Sequence, residues 1–183
     1  MQPPARPVSE LHSVPQPVPQ PAPDPDRAPD APASTAAAPA AEIRARALKL
    51  LSGREHSRLE LARKLYRRGY PAADVDAVLD RLMAEGLLSE ERLLAAYVAE
   101  RLEKGFGPLR IRAELQAKGL SDAAIDPHLQ LNDEQCLALM SAVDAGKFGA
   151  APANDRQTLA KRARFLEYRG FPASLIARAL ELD

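Results

Sequence analysis

Basic side chains are the residues of this 183-residue chain whose pattern most suggests chemistry, because they cluster in three segments. Residues 54–69 hold six Lys or Arg against two acidic residues, and residues 101–119 and 154–170 each hold five against two. The whole chain has 25 residues of each sign, so its formal net charge of zero conceals the segregation. Clustered cations favour a polyanion or an acidic protein surface; the alternative is a solvated surface of mixed charge.

Ten of these cations are the candidate binding residues. They are Arg63, Lys64, Arg67 and Arg68 in the first segment, Arg110, Arg112 and Lys118 in the second, and Lys161, Arg164 and Arg169 in the third. In the first segment, Glu60, Arg63, Lys64 and Arg67 follow an i, i+3, i+4, i+7 spacing, which predicts one exposed helical face. If the three segments align in the folded chain, the cations form a basic stripe.

Patterns that would support catalysis or metal binding are not found in the sequence. There is no phosphate-binding loop of the GxxxxGK[ST] type, and the three histidines have no metal-ligand spacing. Asp74, Asp76 and Asp80 could form a carboxylate site, but at a helix start they more simply complement the helix dipole. We therefore expect a protein that is not an enzyme and has no cofactor and no metal.

A repeated phrase indicates how the cations are positioned. The pattern Leu-x-x-(Lys/Arg)-Gly-apolar occurs at residues 65–70, 115–120 and 166–171, which places its glycines 50 and 51 residues apart. Glycine readily adopts the left-handed conformation that closes a helix, and the following apolar residue then packs on the leucine. A period of this size is typical of stacked supersecondary units, which usually present extended binding surfaces.

Helix signals surround each copy of the phrase. Ser57 with Glu60 and Asn132 with Gln135 form capping-box patterns, and Ser89 is a further N-cap. Helices are predicted upstream over residues 42–52 and 90–104, and apolar pairs at i, i+4 spacing predict one more helix after each glycine. The sequence thus predicts an all-α fold of three tandem three-helix repeats, at residues 41–88, 89–131 and 132–183, without strands.

The third repeat departs from the other two at one core position. Leu61 and Ile111 lie eight residues before their glycines, whereas Arg162 occupies the equivalent place in the third repeat. We expect that helix to pack instead through Leu159, Ala163 and Leu166.

Residues 1–40 have a different composition from the repeats. They contain twelve of the seventeen prolines, with Pro at every second position from Pro15 to Pro25. Such a run cannot form a helix ladder or a sheet, and we expect a disordered tail. A flexible spacer is the preferred interpretation, and a ligand for a proline-reading domain is the alternative.

Composition also bounds where the protein acts. No stretch approaches 18 apolar residues, so we expect no membrane span. The single cysteine, Cys136, cannot form an internal disulfide, and among apolar neighbours it is expected to be a small buried side chain. This usage fits a reducing cytoplasm. We expect a monomer.

Four phrases follow one another along the chain, at residues 57–61 (SRLEL), 86–95 (GLLSEERLLA), 107–120 (GPLRIRAELQAKGL) and 165–171 (FLEYRGF). Together and in this order they resemble the RecX family of recombinase regulators. The resemblance covers residues 42–182 and all three repeats. It departs at Ser89, where family members often have an acidic residue, and in the Pro-rich tail, which lies outside the common pattern.

The resemblance implies an elongated, curved all-α molecule that lies in the groove of the RecA–single-stranded DNA filament. It implies that the protein inhibits three activities of the recombinase, namely filament growth, ATP hydrolysis and strand exchange. It also implies that the protein alone binds single- or double-stranded DNA only weakly. Two other functions stay open. One is a general helical DNA-binding protein without a filament partner, and the other is a protein–protein scaffold that uses the Pro-rich tail.

Overall fold

The computed structural model describes residues 40–149 and 155–181, and within these ranges the chain is all-helical, as predicted. The helices are α1 (Ala40–Leu51), α2 (Arg58–Tyr66), α3 (Ala72–Ala84), α4 (Glu90–Glu103), α5 (Pro108–Ala117), α6 (Asp122–Ile125), α7 (Asp133–Phe148), α8 (Arg156–Arg169) and α9 (Ala173–Ala179). All described residues belong to one unit, residues 35–183. The expectation of a disordered tail concerns residues outside the described ranges.

The predicted helix starts are confirmed by their caps. The Ser57 hydroxyl accepts a hydrogen bond from the Glu60 N–H at 3.1 Å, and the Glu60 carboxylate accepts from the Ser57 N–H at 3.3 Å. Asn132 and Gln135 form the same reciprocal pair at 2.8 and 3.1 Å. Ser89 caps α4 with its side chain, without the reciprocal bond of a capping box. These bonds satisfy N–H groups that the first turn of a helix cannot pair internally.

The glycine turns that define the repeat are also confirmed. Gly69, Gly119 and Gly170 have φ of +87°, +89° and +89°. After Gly119 and Gly170, the next N–H donates to the carbonyl of the repeat leucine five residues back, at 3.2 and 3.1 Å. This is the closure that leaves the chain free to start a new helix at once.

Each group of three helices has its own hydrophobic core, which confirms the three-helix repeat. The first core joins α1, α2 and α3, the second joins α4, α5 and α6, and the third joins α7, α8 and α9. The leucine before each repeat glycine is fully buried in its core. Cys136 is buried in the third core, as expected.

The expected packing of α8 is wrong in one respect. Arg162 does not turn away from the core but is only 8% exposed at the position that Leu61 and Ile111 hold in the other repeats. Its guanidinium pairs with the Asp144 carboxylate at 3.0 Å and lies over the Phe148 ring. A buried cation is tolerated when a carboxylate and an aromatic face compensate for lost hydration. Leu159 is only half-buried.

Candidate binding surface and the joints between repeats

The structure divides the ten candidate cations into two groups. Five have exposed side chains and form no ion pair within the described residues. These five are Arg63, Arg67 and Arg68 on and after α2, and Lys161 and Arg164 on α8. The other five are partly buried and are held by contacts inside the protein. These five are Lys64, Arg110, Arg112, Lys118 and Arg169.

Lys118 holds the first two repeats together. We call the contact of Ser57, Leu59 and Glu60 with Lys118 and Gly119 the first joint. The Ser57 hydroxyl donates to the Lys118 carbonyl at 2.6 Å, and the Lys118 ammonium pairs with the Glu60 carboxylate at 2.8 Å. Both charged side chains are only 17–18% exposed. Glu60 therefore does not belong to a solvated stripe with Arg63 and Arg67, and that prediction is wrong for this residue.

The first joint also sets the ionisation of Glu60. Burial alone would raise the pKa of this carboxyl, but hydrogen bonds from Arg54 and Lys118 oppose it and lower the pKa to about 2. Lys118 in turn lies 5.0 Å from the Tyr97 ring centroid, over its face. The cation is thus enclosed by a carboxylate and an aromatic ring, which makes it poorly available to an external ligand.

Arg110 and Arg169 hold the second and third repeats together. We call the contact of Gly107, Leu109 and Arg110 with residues 168–170 the second joint. The Gly107 N–H donates to the Arg169 carbonyl at 2.8 Å, and the Leu109 N–H donates to the Gly170 carbonyl at 3.0 Å. The Arg110 guanidinium donates to the Tyr168 carbonyl at 3.0 Å. Arg169 donates to the Lys104 carbonyl at 2.8 Å.

The Phe106 ring contacts arginines from both sides of the second joint. Three guanidinium groups lie over its ring, those of Arg101, Arg110 and Arg169, at 4.6–5.2 Å from the centroid. The Glu114 carboxylate pairs with Arg101 at 2.9 Å and with Arg110 at 3.0 Å, so it offsets part of this positive charge. Each guanidinium thus lies over the ring and is also paired or hydrogen-bonded inside the protein.

The two joints have the same geometry. In each joint, the N-terminal turn of a helix that ends at a repeat glycine contacts the glycine turn of the corresponding helix in the next repeat. The N-terminus of α2 contacts the C-terminal end of α5, and the N-terminus of α5 contacts the C-terminal end of α8. The positive end of one helix dipole thereby faces the negative end of another. A Cβ on Gly119 would lie 2.5 Å from the Leu59 side chain, and one on Gly170 would overlap the Arg110 backbone, whereas one on Gly69 would meet nothing within 4 Å.

Lys64 and Arg112 are held within single repeats. The Lys64 ammonium lies 3.1 Å from Nε2 of His56, an imidazole that is 2% exposed. Burial lowers the pKa of His56, and its Nδ1 lies 2.8 Å from the Glu55 carbonyl. A neutral ring can donate from Nδ1 and accept from Lys64. Arg112 bridges Asp122 and Asp126 at 2.7 Å each.

Two cations that the sequence analysis did not select lie beside the exposed group in the first repeat. Arg46 and Lys49 of α1 line a groove of about 590 Å³ together with Arg68 and Tyr70. A second groove of about 380 Å³ is lined by Lys64, Arg67 and Arg68, so Arg68 belongs to both. The i, i+3 spacing of Arg46 and Lys49 could have indicated their shared face, but they lie outside the basic segments.

The described residues contain neither a metal-binding cluster nor a membrane-spanning helix. Over residues 40–149 and 155–181, no group of three His, Cys, Asp or Glu side chains could hold a metal ion. In the same ranges, no helix has both the length and the apolar character needed to cross a membrane.

Comparison with protein families gives a match for each repeat. Residues 44–82 match the first three-helix domain of RecX, residues 89–129 the second and residues 145–180 the third. The chain belongs to the RecX family. A protein named Regulatory protein RecX from Pseudomonas savastanoi pv. phaseolicola is 44% identical over 138 residues, covering 75% of this chain and 89% of that protein. One of the same name from Halorhodospira halophila is 42% identical over 142 residues, covering 78% and 88%.

Solved RecX structures share the fold. A crystal structure of regulatory protein RecX superposes with a TM-score of 0.66 at 23% identity and covers 79% of this chain and 72% of that one. RecX from Lactobacillus salivarius gives the same TM-score at 20% identity and covers 79% and 97%. At these identities, the likeness supports the three-repeat all-α architecture alone.

Proposed function

We propose that this protein binds the RecA–single-stranded DNA filament and inhibits the recombinase, by limiting filament growth, ATP hydrolysis and strand exchange. RecX family membership supports this proposal, because the curated relatives are named regulatory proteins. The observation that carries it is the exposed, unpaired group of Arg63, Arg67 and Arg68 in the first repeat together with Lys161 and Arg164 in the third. The DNA of such a filament carries phosphates, which are the kind of polyanion that these cations favour.

The two groups of cations have different roles in this proposal. The exposed five contact the filament, since no internal partner competes for them within the described residues. Lys118, Arg110 and Arg169 act indirectly, because they fix neighbouring repeats through the two joints. Lys64 and Arg112 stabilise their own repeats. Binding energy is then not spent on ordering the repeats at the moment of contact.

The first experiment follows ATP hydrolysis by RecA of the same species on single-stranded DNA as this protein is titrated in. We expect inhibition at amounts well below one protein per RecA, together with weak binding to bare DNA in a parallel assay. Unchanged hydrolysis combined with tight, salt-sensitive binding to bare DNA would instead support the general DNA-binding alternative.

Charge reversal tests the assignment of the exposed cations. The double variant Arg67→Glu with Arg68→Glu should raise the concentration needed for half-inhibition by about tenfold or more, because two contacts with negative charge become repulsive. The control is Arg81→Glu with Arg178→Glu, which reverses two exposed arginines on α3 and α9, where Arg178 lies 4.0 Å from the Asp133 carboxylate. Equal loss in both variants would mean that overall charge matters and that the assignment to Arg67 and Arg68 is wrong.

A further inference from the structure

The exposed ring of Tyr168 is not explained by packing. Tyr168 is 70% exposed, more than the other large apolar side chains among the described residues. The equivalent positions, two residues before the repeat glycine, are Arg67 and Ala117, so the repeat does not require an aromatic residue there. A side chain with this exposed fraction is not part of the hydrophobic core.

The ring is nevertheless held in a defined position. Its backbone carbonyl accepts a hydrogen bond from Arg110, and the guanidinium of the same arginine lies over the ring, 4.8 Å from the centroid. A cation over an aromatic ring restrains it, and the 70% exposure of Tyr168 leaves most of the side chain accessible to solvent. Tyr168 is thus a fixed flat surface at the second joint.

The surroundings of Tyr168 are apolar and basic. Leu109, which is 54% exposed, lies across the second joint, where its N–H bonds to the Gly170 carbonyl. Arg164 and Lys161 lie four and seven residues before Tyr168, which places all three on one face of α8. Glu167 lies next to Tyr168 in sequence, and successive residues do not share a helical face.

We propose that Tyr168 stacks on an unpaired base of a single-stranded nucleic acid, while Arg164 and Lys161 contact the neighbouring phosphates. An aromatic surface beside exposed cations is the combination that recognises single strands, since every base has a flat face and every linkage a charge. An acidic protein segment would use the cations but would gain little from a fixed aromatic face. This inference rests on the proposed function and adds that the protein touches the DNA strand itself.

The test measures binding of the full-length protein to a fluorescein-labelled oligo-dT and to an abasic strand of the same length. Wild type and Tyr168→Phe should bind oligo-dT equally, and Tyr168→Leu should bind about tenfold more weakly, because stacking on one base is lost. On the abasic strand, the three proteins should bind equally. Arg164→Gln should lower the slope of binding against salt by about one unit.

Other outcomes would overturn this inference. Unchanged oligo-dT binding by Tyr168→Leu would exclude a base contact, and an equal loss on both strands would assign Tyr168 a structural role. Tyr66→Leu is the control variant, since Tyr66 is a second exposed tyrosine whose hydroxyl donates to the Asp76 carboxylate. Thermal melting checks that each variant folds. If Tyr168→Leu weakens only RecA inhibition, the surface contacts protein instead. Base-dependent binding without an effect on RecA hydrolysis would refute the proposed function alone.

Discussion

Lys118 and Glu60 lie 58 residues apart in the chain and form an ion pair of 2.8 Å across the first joint. Glu60 is also the third residue of α2 and completes its capping box, so one carboxylate caps a helix and holds the next repeat. The same residue therefore links a local signal, which sequence analysis can identify, to a distant contact, which it cannot. This ion pair is one of the contacts between repeats one and two, beside the bond from the Ser57 hydroxyl to the Lys118 carbonyl.

Removing the charge of Lys118 should loosen the first joint. Lys118→Met keeps most of the aliphatic stem but leaves Glu60 partly buried without this partner, so we expect the free energy of unfolding to fall by about 1–2 kcal/mol. Urea denaturation of Lys118→Met, Glu60→Gln and the double variant gives the coupling between the two residues. The exposed pair of Lys104 and Glu100 is the control, and its removal should have little effect. If the effects of the Lys118 and Glu60 substitutions on the free energy of unfolding are additive, the ion pair between them does not contribute to stability.

Glu60 should also make the free energy of unfolding depend on pH in the acidic range. Because its pKa in the folded protein is about 2, below the ordinary 4.5, the stabilisation is fully present above pH 4.5 and is lost as the pH falls towards 2. Chemical denaturation between pH 6 and pH 3 should therefore show a steeper loss for wild type than for Glu60→Gln. Parallel pH profiles for the two proteins would show that other carboxyls dominate the acid transition.

His56 should add a separate pH dependence near neutrality. Burial lowers the pKa of the folded imidazole below its ordinary 6.5, so the unfolded chain takes up a proton first as the pH falls. The stabilisation is present above pH 6.5 and is lost below it. His56→Gln, which removes the titrating group but keeps a polar side chain, should flatten the stability profile between pH 7.5 and pH 5.5. A profile unchanged by this substitution would mean that the imidazole has the same pKa in the folded and the unfolded protein.

Local features of the fold are predictable from sequence because their partners are close along the chain. The caps at Ser57 and Asn132 bind N–H groups three residues away, and the residues after Gly119 and Gly170 bond to a leucine five residues back. Regular spacing of these signals then gives the number of helices and the repeat.

The roles of the individual cations are not predictable in the same way. Lys118 and Arg110 have the composition and spacing of binding residues, yet their partners lie in the neighbouring repeat. Arg162 occupies a core position because Asp144, 18 residues earlier, faces it. Only the folded arrangement brings these charges together, so sequence patterns cannot separate them from exposed cations such as Arg63 and Arg67.

The repeat glycines should differ sharply in their tolerance of alanine. All three have positive φ, so Gly69→Ala should cost about 1–2 kcal/mol of unfolding free energy from backbone strain alone. Gly119→Ala should cost roughly a further 1–3 kcal/mol because the new methyl meets the Leu59 side chain. Gly170→Ala should be the most damaging, since the Arg110 backbone cannot move aside as a side chain can. Thermal and urea unfolding of the three variants measures the order. Equal costs at the three positions would mean that the joints do not depend on close approach at Gly119 and Gly170, and that each glycine serves only its own turn.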